Sequence, residues 1–272
     1  MIRFTKMHAI GNDFIVIDLR EYPVADLPGF SKRFCHRRFG IGADQVILLD
    51  SSKTADFRMG IYNADGSEVE MCGNGIRALA KYIWERGMSR KDVLEIETLA
   101  GIIRPARAGD MIRVDMGAPI LDGRRIPVNL DGRVIDHPLQ VEGQWLDMTC
   151  VSMGNPHAVF FVDDVASFPV TTVGPTIETH ALFPKRTNVE FVQTISRTEL
   201  RMRVWERGAG ETMACGTGAC ATGVAAMLKG LVESKVTVHL LGGDLIIEWD
   251  GQAGSVFMTG PATEVFEGTI ND

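Results

Sequence analysis

Two short stretches in which a cysteine precedes a glycine-rich turn carry the residue types most capable of chemistry. They read MCGNGIRALA over residues 71–80 and ACGTGACATG over residues 214–223. Each opens a run of small residues that predicts a helix, which places Cys72 and Cys215 at helix N-termini. The unpaired N–H groups there carry about half a positive charge, which lowers the pKa of a thiol and can hold a carboxylate. We therefore expect thiolates to be accessible near neutral pH.

Two such cysteines at equivalent places suggest a proton transfer with two bases. Inverting a stereocentre needs a base on one face of a carbon and an acid on the other, and two thiols can exchange these roles. The α-hydrogen of an amino acid is a poor acid, so helix N-termini that bind the α-carboxylate would stabilise the developing carbanion. This chemistry needs no cofactor. A metal is not expected either, because no ligand spacing is seen at His8, His36, His137, His180 and His239.

The two cysteine motifs belong to an internal duplication with an offset of 143 residues (215 − 72 = 143). The same offset pairs polar residues upstream of the motifs: Asn12 with Asn155, Gln45 with Asn188, and Asn63 with Glu206. A constant register over so much of the chain indicates two homologous halves. We expect an N-terminal half over residues 1–116, with a C-terminal return over 262–272, and a C-terminal half over 117–261.

Each half repeats the same order of predicted elements. Apolar segments predict strands, among them FIVID and QVILLD in the first half and HAVFFVD and NVEFVQTI in the second. The helices after the cysteines are rich in Ala and Gly, which lets strands approach closely, and they end near Gly87 and Gly230. The expected fold class is α+β, with two homologous domains related by a pseudo-twofold axis. Each domain would be a bent mixed β-sheet or barrel wrapped around a central helix.

Composition limits the classes of partner and the compartment. The chain has 272 residues and a net charge of −7, which argues against a broad nucleic-acid or anionic-membrane surface. No apolar run approaches the roughly 20 residues of a membrane helix. The start, MIRFTKMHAIGND, lacks the apolar core of a signal peptide, so we expect a cytosolic protein. Five cysteines without a CxxC motif favour free thiols over disulfides.

The sequence resembles the diaminopimelate epimerase family. The segments that carry the resemblance follow one another along the chain: MHAIGNDFIVID, NADGSEVEMCGNGIRALA, GNPHAVFF, TNVEF and WERGAGETMACGTGACA. The resemblance implies that family's fold and a cytoplasmic isomerase that interconverts LL- and meso-2,6-diaminopimelate without pyridoxal phosphate or metal. It places the reaction in lysine and peptidoglycan precursor biosynthesis. It also implies a homodimer whose domains close on the substrate.

The same resemblance assigns roles to individual residues. It implies that Cys72 and Cys215 are the acid/base pair and that His157 and Glu206 tune their pKa values. The substrate-binding residues that it implies are Asn12, Gln45, Asn63, Gly73, Asn74, Asn155, Asn188, Glu206, Arg207, Gly216 and Thr217. Arg207 would suit a carboxylate at the far end of the substrate, because a guanidinium can donate two hydrogen bonds to it.

Other interpretations stay open from the residues alone. A two-cysteine racemase of the proline or hydroxyproline type shares the chemistry, but has less use for an arginine and several asparagines. A thiol–disulfide oxidoreductase is disfavoured by the absence of CxxC, and a cysteine hydrolase by the absence of a paired histidine base. In a non-catalytic amino-acid-binding module, the two cysteines would be incidental. Cys35, Cys150 and Cys220 are expected only to pack.

Overall fold

The computed structural model of the protein describes residues 1–251 and 254–271. The chain divides into two units. The first unit is Met1–Asp115 with Thr259–Asp272, and the second is Met116–Met258. Residues 252 and 253 of the predicted C-terminal half, and residue 272 of the predicted C-terminal return, lie outside the described residues. The boundaries 1–116, 117–261 and 262–272 expected from the duplication stay predictions.

The first unit is built on a mixed sheet. Its strands are β1 (Ile2–Ala9), β2 (Asn12–Asp18), β3 (Gln45–Asp50), β4 (Phe57–Asn63), β5 (Ile96–Thr98), β6 (Gly101–Ile103), β7 (Ala106–Ala108), β8 (Met111–Asp115) and, at the end of the chain, β18 (Thr263–Ile270). Its helices are α1 (Leu27–Phe34) and α2 (Gly73–Glu85). The sheet order is β18-β1-β2-β3-β4-β5-β6, and β7 pairs with β8 in a hairpin. The β2–β3 and β4–β5 pairs are parallel, and the others along this path are antiparallel.

The second unit repeats this plan. Its strands are β9 (His137–Val141), β10 (Gln144–Ser152), β11 (Pro156–Phe161), β12 (Asn188–Thr194), β13 (Glu199–Glu206), β14 (Gly210–Thr212), β15 (Lys235–Leu240), β16 (Gly243–Glu248) and β17 (Phe257–Gly260). Its helices are α3 (Val170–Glu178) and α4 (Gly216–Leu228), preceded by a 3₁₀ turn at Gly123–Arg125. The sheet order is β9-β10-β11-β12-β13-β15-β16-β17, and β14 pairs with β13. Here the β11–β12 and β13–β15 pairs are parallel.

The duplication read from the sequence is therefore a duplication of topology. The path from β18 to β6 and the path from β9 to β16 have the same sequence of parallel and antiparallel steps. Helices α2 and α4 begin 143 residues apart (216 − 73 = 143). Both end in a left-handed glycine, Gly87 at φ 64° and Gly230 at φ 68°, whose N–H and that of the next residue bond back to the last helical turn. This is the glycine-terminated helix end expected from the sequence.

In each unit the sheet curves around the helix that follows a cysteine. Helix α4 contacts β10, β11, β12, β13, β15 and β16. Six adjacent strands in a flat sheet would span about 24 Å, whereas a helix is only about 10 Å across. The sheet must bend for all of them to reach it. Small residues permit this approach: a β carbon at Gly223 would lie 2.8 Å from Cγ2 of Ile247. The expected α+β fold, with a bent mixed sheet around a central helix in each domain, is confirmed.

The described residues contain neither a membrane-spanning helix nor a metal-binding cluster. Among residues 1–251 and 254–271, no helix combines the length and apolar character needed to cross a membrane. Within the same described ranges, no group of three or more His, Cys, Asp or Glu side chains could hold a metal ion.

Candidate active site

The first predicted catalytic cysteine is the N-cap residue of α2. The backbone of Cys72 is extended (φ −136°, ψ 118°), and Gly73 is the first helical residue. Its Sγ accepts a hydrogen bond from the N–H of Gly75 at 3.4 Å, as a serine or threonine hydroxyl does when it caps a helix. The N–H groups of Gly73 and Asn74 lie in the same first turn, where backbone donors have no acceptor within the helix. The sulfur thus lies in the positive potential of the helix N-terminus.

A tight turn places an asparagine at the same sheet edge in each unit. In the first unit, Ile10 (φ 46°) and Gly11 (φ 92°) form the turn of the β1–β2 hairpin, and Asn12 begins β2. In the second unit, Gly154 (φ 98°) precedes Asn155 in the turn between β10 and β11. Glycine adopts a positive φ at little cost. The glycine in each turn therefore sets the backbone position from which the asparagine side chain extends.

Asn12 turns its carbonyl oxygen towards the first cysteine. Its Nδ2 donates to Oδ2 of Asp44 at 2.9 Å, and because a carboxylate only accepts, this bond fixes the orientation of the amide. Oδ1 of Asn12 accepts a hydrogen bond from Nδ2 of Asn74 at 3.2 Å and lies 3.8 Å from Sγ of Cys72. The first unit thus brings Asn12, Asn74 and Cys72 into one cluster, in which the thiol faces an acceptor.

Gln45 and Asn63 form a second pair of predicted binding residues at this edge. They lie opposite each other in the β3–β4 ladder, and Nε2 of Gln45 donates to Oδ1 of Asn63 at 2.8 Å. Nδ2 of Asn63 donates in turn to Oγ of Ser67 at 3.0 Å. Oε1 of Gln45 is buried and makes no hydrogen bond with the described residues. Since β2 and β3 are parallel and β4 runs back, Asn12, Gln45 and Asn63 share one edge of the sheet.

Arg77 supports the first cluster and was not predicted from the sequence. Its side chain is fully buried. The guanidinium donates to the carbonyl of Gly73 at 3.1 Å, to Oδ1 of Asn74 at 2.9 Å and to the carbonyl of Pro261 at 3.4 Å. The signal in the sequence was an arginine inside the apolar helical run GIRALA, where a charge is rarely buried without partners.

The second predicted catalytic cysteine is the N-cap residue of α4. Cys215 also has an extended backbone (φ −121°, ψ 109°), and its Sγ accepts a hydrogen bond from the N–H of Gly218 at 3.3 Å. Its sulfur lies 3.5 Å from Oγ1 of Thr217. The N–H groups of Gly216 and Thr217 occupy the first turn, as those of the equivalent residues do in α2. Cys215 is 5% exposed, so this thiol is more deeply buried than the partly exposed Cys72.

A chain of side chains leads from Cys215 into the sheet. Oγ1 of Thr217 accepts a hydrogen bond from Nδ2 of Asn155 at 3.2 Å. Oδ1 of Asn155 lies 3.0 Å from Nε2 of His157, and Nδ1 of His157 lies 2.7 Å from Oε1 of Glu190. The side chains of His157 and Glu190 have no exposed surface. The predicted residues Asn155, His157 and Thr217 are therefore connected to one another and to Cys215.

The remaining predicted residues of the second unit lie at the ends of β12 and β13. Oδ1 of Asn188 accepts a hydrogen bond from the backbone N–H of Arg207 at 2.9 Å. The guanidinium of Arg207 is exposed and donates to the carbonyl of Lys185 at 3.1 Å. Glu206 accepts a hydrogen bond from the hydroxyl of Thr212. Burial raises the pKa of Glu206 above its usual value, and this hydrogen bond opposes the change.

The expectation that a helix N-terminus lowers the pKa of the thiol is wrong for Cys215. Burial raises the pKa of the Cys215 thiol well above its usual value, and the negative charges of Glu206 and Glu190 raise it further. Hydrogen bonds from Thr217 and from the N–H of Gly218 lower it, but they are the smaller effects. A thiolate at this position loses more hydration than the helix terminus replaces. The surroundings of Cys215 therefore favour the thiol over the thiolate.

Glu190 is a further residue that the sequence-based prediction missed. It lies in the middle of β12, where the segment NVEFV is buried throughout. A single carboxylate inside such an apolar strand was the signal, because ionisable groups are seldom fully buried without a partner. Oε1 faces His157, whereas Oε2 is buried and makes no hydrogen bond with the described residues. The cysteines expected only to pack, Cys35, Cys150 and Cys220, are all buried.

The duplicated architecture agrees with the comparison to known families, in which one family model matches two segments of the chain. A family model described as "Diaminopimelate epimerase" matches residues 4–121 and again residues 149–265. The chain belongs to the diaminopimelate epimerase family. The diaminopimelate epimerase of Moorella thermoacetica is 58% identical over 274 residues, with 98% of each chain covered. That of Acetivibrio thermocellus is 52% identical over 277 residues, with 99% of each covered, and that of Methanococcus maripaludis is 49% identical over 276 residues.

Solved structures of other proteins share the fold of this family member. A phenazine biosynthesis protein of the PhzF family from Bacillus anthracis superposes with a TM-score of 0.75 at 16% identity, covering 100% of this chain and 99% of that one. A hydroxyproline epimerase from Agrobacterium vitis superposes with a TM-score of 0.71 at 15% identity, covering 98% and 91%. At these identities the likeness establishes the fold alone.

Proposed function

We propose that this member of the diaminopimelate epimerase family interconverts LL-2,6-diaminopimelate and meso-2,6-diaminopimelate. It is an isomerase that inverts one α-carbon of an amino acid. The observation that carries the proposal is the repeated local structure, in which Cys72 and Cys215 each cap a buried helix whose first N–H groups have no acceptor within the helix. Membership of the family supports diaminopimelate as the substrate.

Proton transfer between two thiols and one α-carbon accounts for the inversion. In one direction the thiolate of Cys72 removes the α-proton and becomes a thiol, and the thiol of Cys215 gives a proton to the opposite face and becomes a thiolate. In the reverse direction the roles exchange. The raised pKa of Cys215 supports its role as the proton donor at rest. The mechanism requires that the two thiols act on opposite faces of one carbon.

The substrate carboxylates account for the polar residues around the cysteines. Backbone N–H groups of Gly73, Asn74, Gly216 and Thr217 would hold the reacting α-carboxylate and the negative charge that develops beside it. The exposed guanidinium of Arg207 would hold the far carboxylate. The amides and carboxylate that would contact the rest of the substrate are those of Asn12, Gln45, Asn63, Asn155, Asn188 and Glu206. His157 and Glu206 would tune the cysteines.

The biological setting follows from the family. We place the reaction in the cytoplasm, in the formation of lysine and of peptidoglycan precursors, and we propose that the active form is a homodimer. The two thiols supply both the acid and the base, so the proposal includes no pyridoxal phosphate and no metal.

Deuterium exchange during turnover tests the proposal. Incubation of the protein with LL-diaminopimelate in deuterated water should produce meso-diaminopimelate with solvent deuterium at the inverted α-carbon. The variants Cys72→Ser and Cys215→Ser, made separately, should lower turnover at least about 100-fold, because each loses one proton-transfer group, while binding is retained. Cys220→Ala, a change at a buried cysteine on the same helix as Cys215, is the matched control and should keep turnover near that of the wild type.

The rival functions give different outcomes in the same assay. Inversion of proline or 4-hydroxyproline in preference to diaminopimelate would assign the racemase function. This alternative is tested because a hydroxyproline epimerase has the same fold. Binding of diaminopimelate without any deuterium incorporation would assign a binding module. Normal turnover by both serine variants would refute the two-cysteine mechanism.

A further inference from the structure

The chain from Glu190 to Cys215 has a direction that is set by its two ends. It consists of four contacts, Glu190–His157, His157–Asn155, Asn155–Thr217 and Thr217–Cys215. A carboxylate only accepts hydrogen bonds, whereas an amide has one accepting and one donating end, and a hydroxyl can accept one hydrogen bond and donate another. The role taken by one member therefore determines the role of the next.

The observed amide orientation corresponds to one of two directions. Oδ1 of Asn155 faces Nε2 of His157, so Nε2 must carry a hydrogen and donate it. Nδ2 of Asn155 then donates to Oγ1 of Thr217. The hydroxyl hydrogen of Thr217 is left to point at Sγ of Cys215, 3.5 Å away. In this direction the sulfur receives a donor.

The opposite direction is also self-consistent but presents a different group to the sulfur. If Nε2 of His157 carried no hydrogen, Asn155 would turn its Nδ2 towards the ring. Its Oδ1 would then accept the hydroxyl hydrogen of Thr217, and that hydroxyl would offer only a lone pair to Cys215. The protonation of the buried ring thus decides whether the sulfur meets a donor or an acceptor.

Glu190 is the group that decides the protonation of the ring. Its Oε1 lies 2.7 Å from Nδ1 of His157, with both side chains fully buried, so a proton must lie between these two atoms. When the pair carries no net charge, it holds two hydrogens: one lies between Oε1 of Glu190 and Nδ1 of His157, and the other is bound to Nε2. Burial favours that neutral pair over a lone buried carboxylate.

We propose that Glu190 is a positioning residue for Cys215: by holding Nδ1 of His157 it directs the hydrogen-bond chain through Asn155 and Thr217 so that a hydroxyl donor faces the Cys215 sulfur. This inference rests on the proposed function, in which Cys215 must become a thiolate after it gives its proton to the substrate. The thiolate is then stabilised where burial and the nearby Glu206 oppose it. The charged groups that act on Cys215 from the surrounding strands are Glu206 and Glu190. His157 acts in turn on Glu206, and Glu190 also raises the pKa of Cys150.

The variant Glu190→Gln separates this role from a simple charge effect because the two predict opposite signs. If Glu190 acted only as a nearby negative charge, its removal would lower the pKa of the Cys215 thiol. In the proposed chain, its removal takes away the shared proton that keeps a hydrogen on Nε2 of His157. The neutral ring can then carry its one hydrogen on Nδ1, donated to the new amide oxygen, and in those molecules Nε2 accepts and the hydroxyl donor is lost. We expect the pKa of Cys215 to rise by about half a unit or more, where one unit is a tenfold change in the thiolate fraction. An unchanged or lower pKa overturns the proposal.

The measurement is the pH dependence of iodoacetamide alkylation at Cys215, resolved from the other cysteines by mass spectrometry. Thr217→Val cuts the chain next to the sulfur and should raise the pKa by itself. Adding Glu190→Gln to Thr217→Val should then give no further rise, because the donor is already absent. Equal and additive rises would overturn the proposal. Asp244→Asn is the matched control, since it removes the carboxylate of an exposed His239–Asp244 pair in the same unit and should leave Cys215 unchanged.

A measurement on the wild-type protein reports the protonation of the ring without relying on Glu190→Gln or Thr217→Val. Nitrogen-15 NMR of the histidine rings, with His157 assigned by comparison with His157→Asn, should show a hydrogen on Nε2 at neutral pH. A ring with Nε2 unprotonated overturns the proposal. Neither the NMR nor the alkylation requires turnover, so absence of epimerase activity would refute the proposed function while leaving these readouts to test the chain separately.

Discussion

The guanidinium of Arg77 donates a hydrogen bond to Oδ1 of Asn74 at 2.9 Å, directly behind the helix turn that Cys72 caps. The same guanidinium bonds the carbonyl of Gly73 and, from a distant part of the chain, that of Pro261. A single buried cation thus holds the backbone of Gly73 and the side chain of Asn74. The backbone N–H groups of these two residues are the ones proposed to bind the substrate carboxylate. The turn proposed to bind the carboxylate is therefore held in place by the protein's own side chains.

Replacing Arg77 should therefore affect both stability and binding. Arg77→Met removes the donor from two buried acceptors and one partly buried acceptor, and we expect the free energy of unfolding to fall by about 3 kcal/mol. The KM for diaminopimelate should rise, because the turn is no longer held. Chemical denaturation and steady-state kinetics measure the two effects. Arg124→Ala, which removes an exposed arginine paired with Asp131, is the control and should leave both unchanged. Wild-type stability and KM in Arg77→Met would contradict the assignment.

Glu206 should influence Cys215 in the direction opposite to that of Glu190. Its negative charge raises the pKa of the Cys215 thiol. Glu206→Gln removes that charge, so the pKa of Cys215 should fall and its alkylation profile should move to lower pH. Glu211→Gln, a change in a carboxylate that is paired with Arg203, is the matched control and should leave the profile where it is. A shift to higher pH in Glu206→Gln would show that hydrogen bonding by this carboxylate outweighs its charge.

Gly75 and Gly218, three residues after Cys72 and Cys215, should differ in their tolerance of a methyl group. A β carbon at Gly218 would lie 2.7 Å from Oε1 of Glu190, whereas one at Gly75 would lie 3.3 Å from the terminal methyl of Ile47. Glu190 is fully buried and held by His157, so Gly218→Ala should destabilise the protein by about 2 kcal/mol. In Gly75→Ala the gain in helix propensity, about 1 kcal/mol, should offset the contact. The two glycines occupy equivalent positions, so thermal denaturation of the two variants compares them directly. Equal stability of Gly218→Ala and Gly75→Ala would contradict the prediction.

Asp13 gives the first unit a stability that depends on pH. Burial raises the pKa of this carboxyl, but the hydrogen bonds and charges of Arg37 and Lys6 outweigh burial and hold it at about 2. A carboxyl whose pKa is lower in the folded than in the unfolded state stabilises the fold above its unfolded pKa and loses this contribution as the pH falls towards the folded pKa. Asp13→Asn should thus lower the free energy of unfolding by about 2 kcal/mol at neutral pH.

The difference between the wild type and Asp13→Asn should disappear as the pH falls from about 4 to about 2, because the wild-type carboxyl is then protonated. Denaturant unfolding across this range measures it. Asp110→Asn, at an exposed turn, is the control and should follow the wild type at every pH. A difference that stayed constant down to pH 2 would mean that the ionisation of Asp13 contributes nothing.

The parts of the site that could be predicted are those fixed by local sequence. Cys72 and Cys215 cap their helices because each is followed by a glycine-containing turn that enters a helix, and Asn12 and Asn155 are placed by the glycine before them. The duplication extended these local rules, since a residue seen twice in one register is hard to attribute to chance. The strands NVEFVQTI and QVILLD were found for the same reason: their apolar runs are local patterns.

Arg77, Glu190 and the raised pKa of Cys215 depended on residues that are far apart in the sequence. His157 and Glu190 meet because β11 and β12 run parallel in adjacent positions, and Arg77 reaches Pro261 because the end of the chain returns to the first unit. The sequence determined that two thiols would each sit at a helix N-terminus. Only the tertiary structure decided how much water and charge surround each sulfur, because burial and electrostatic potential are sums over side chains that folding brings together from several strands.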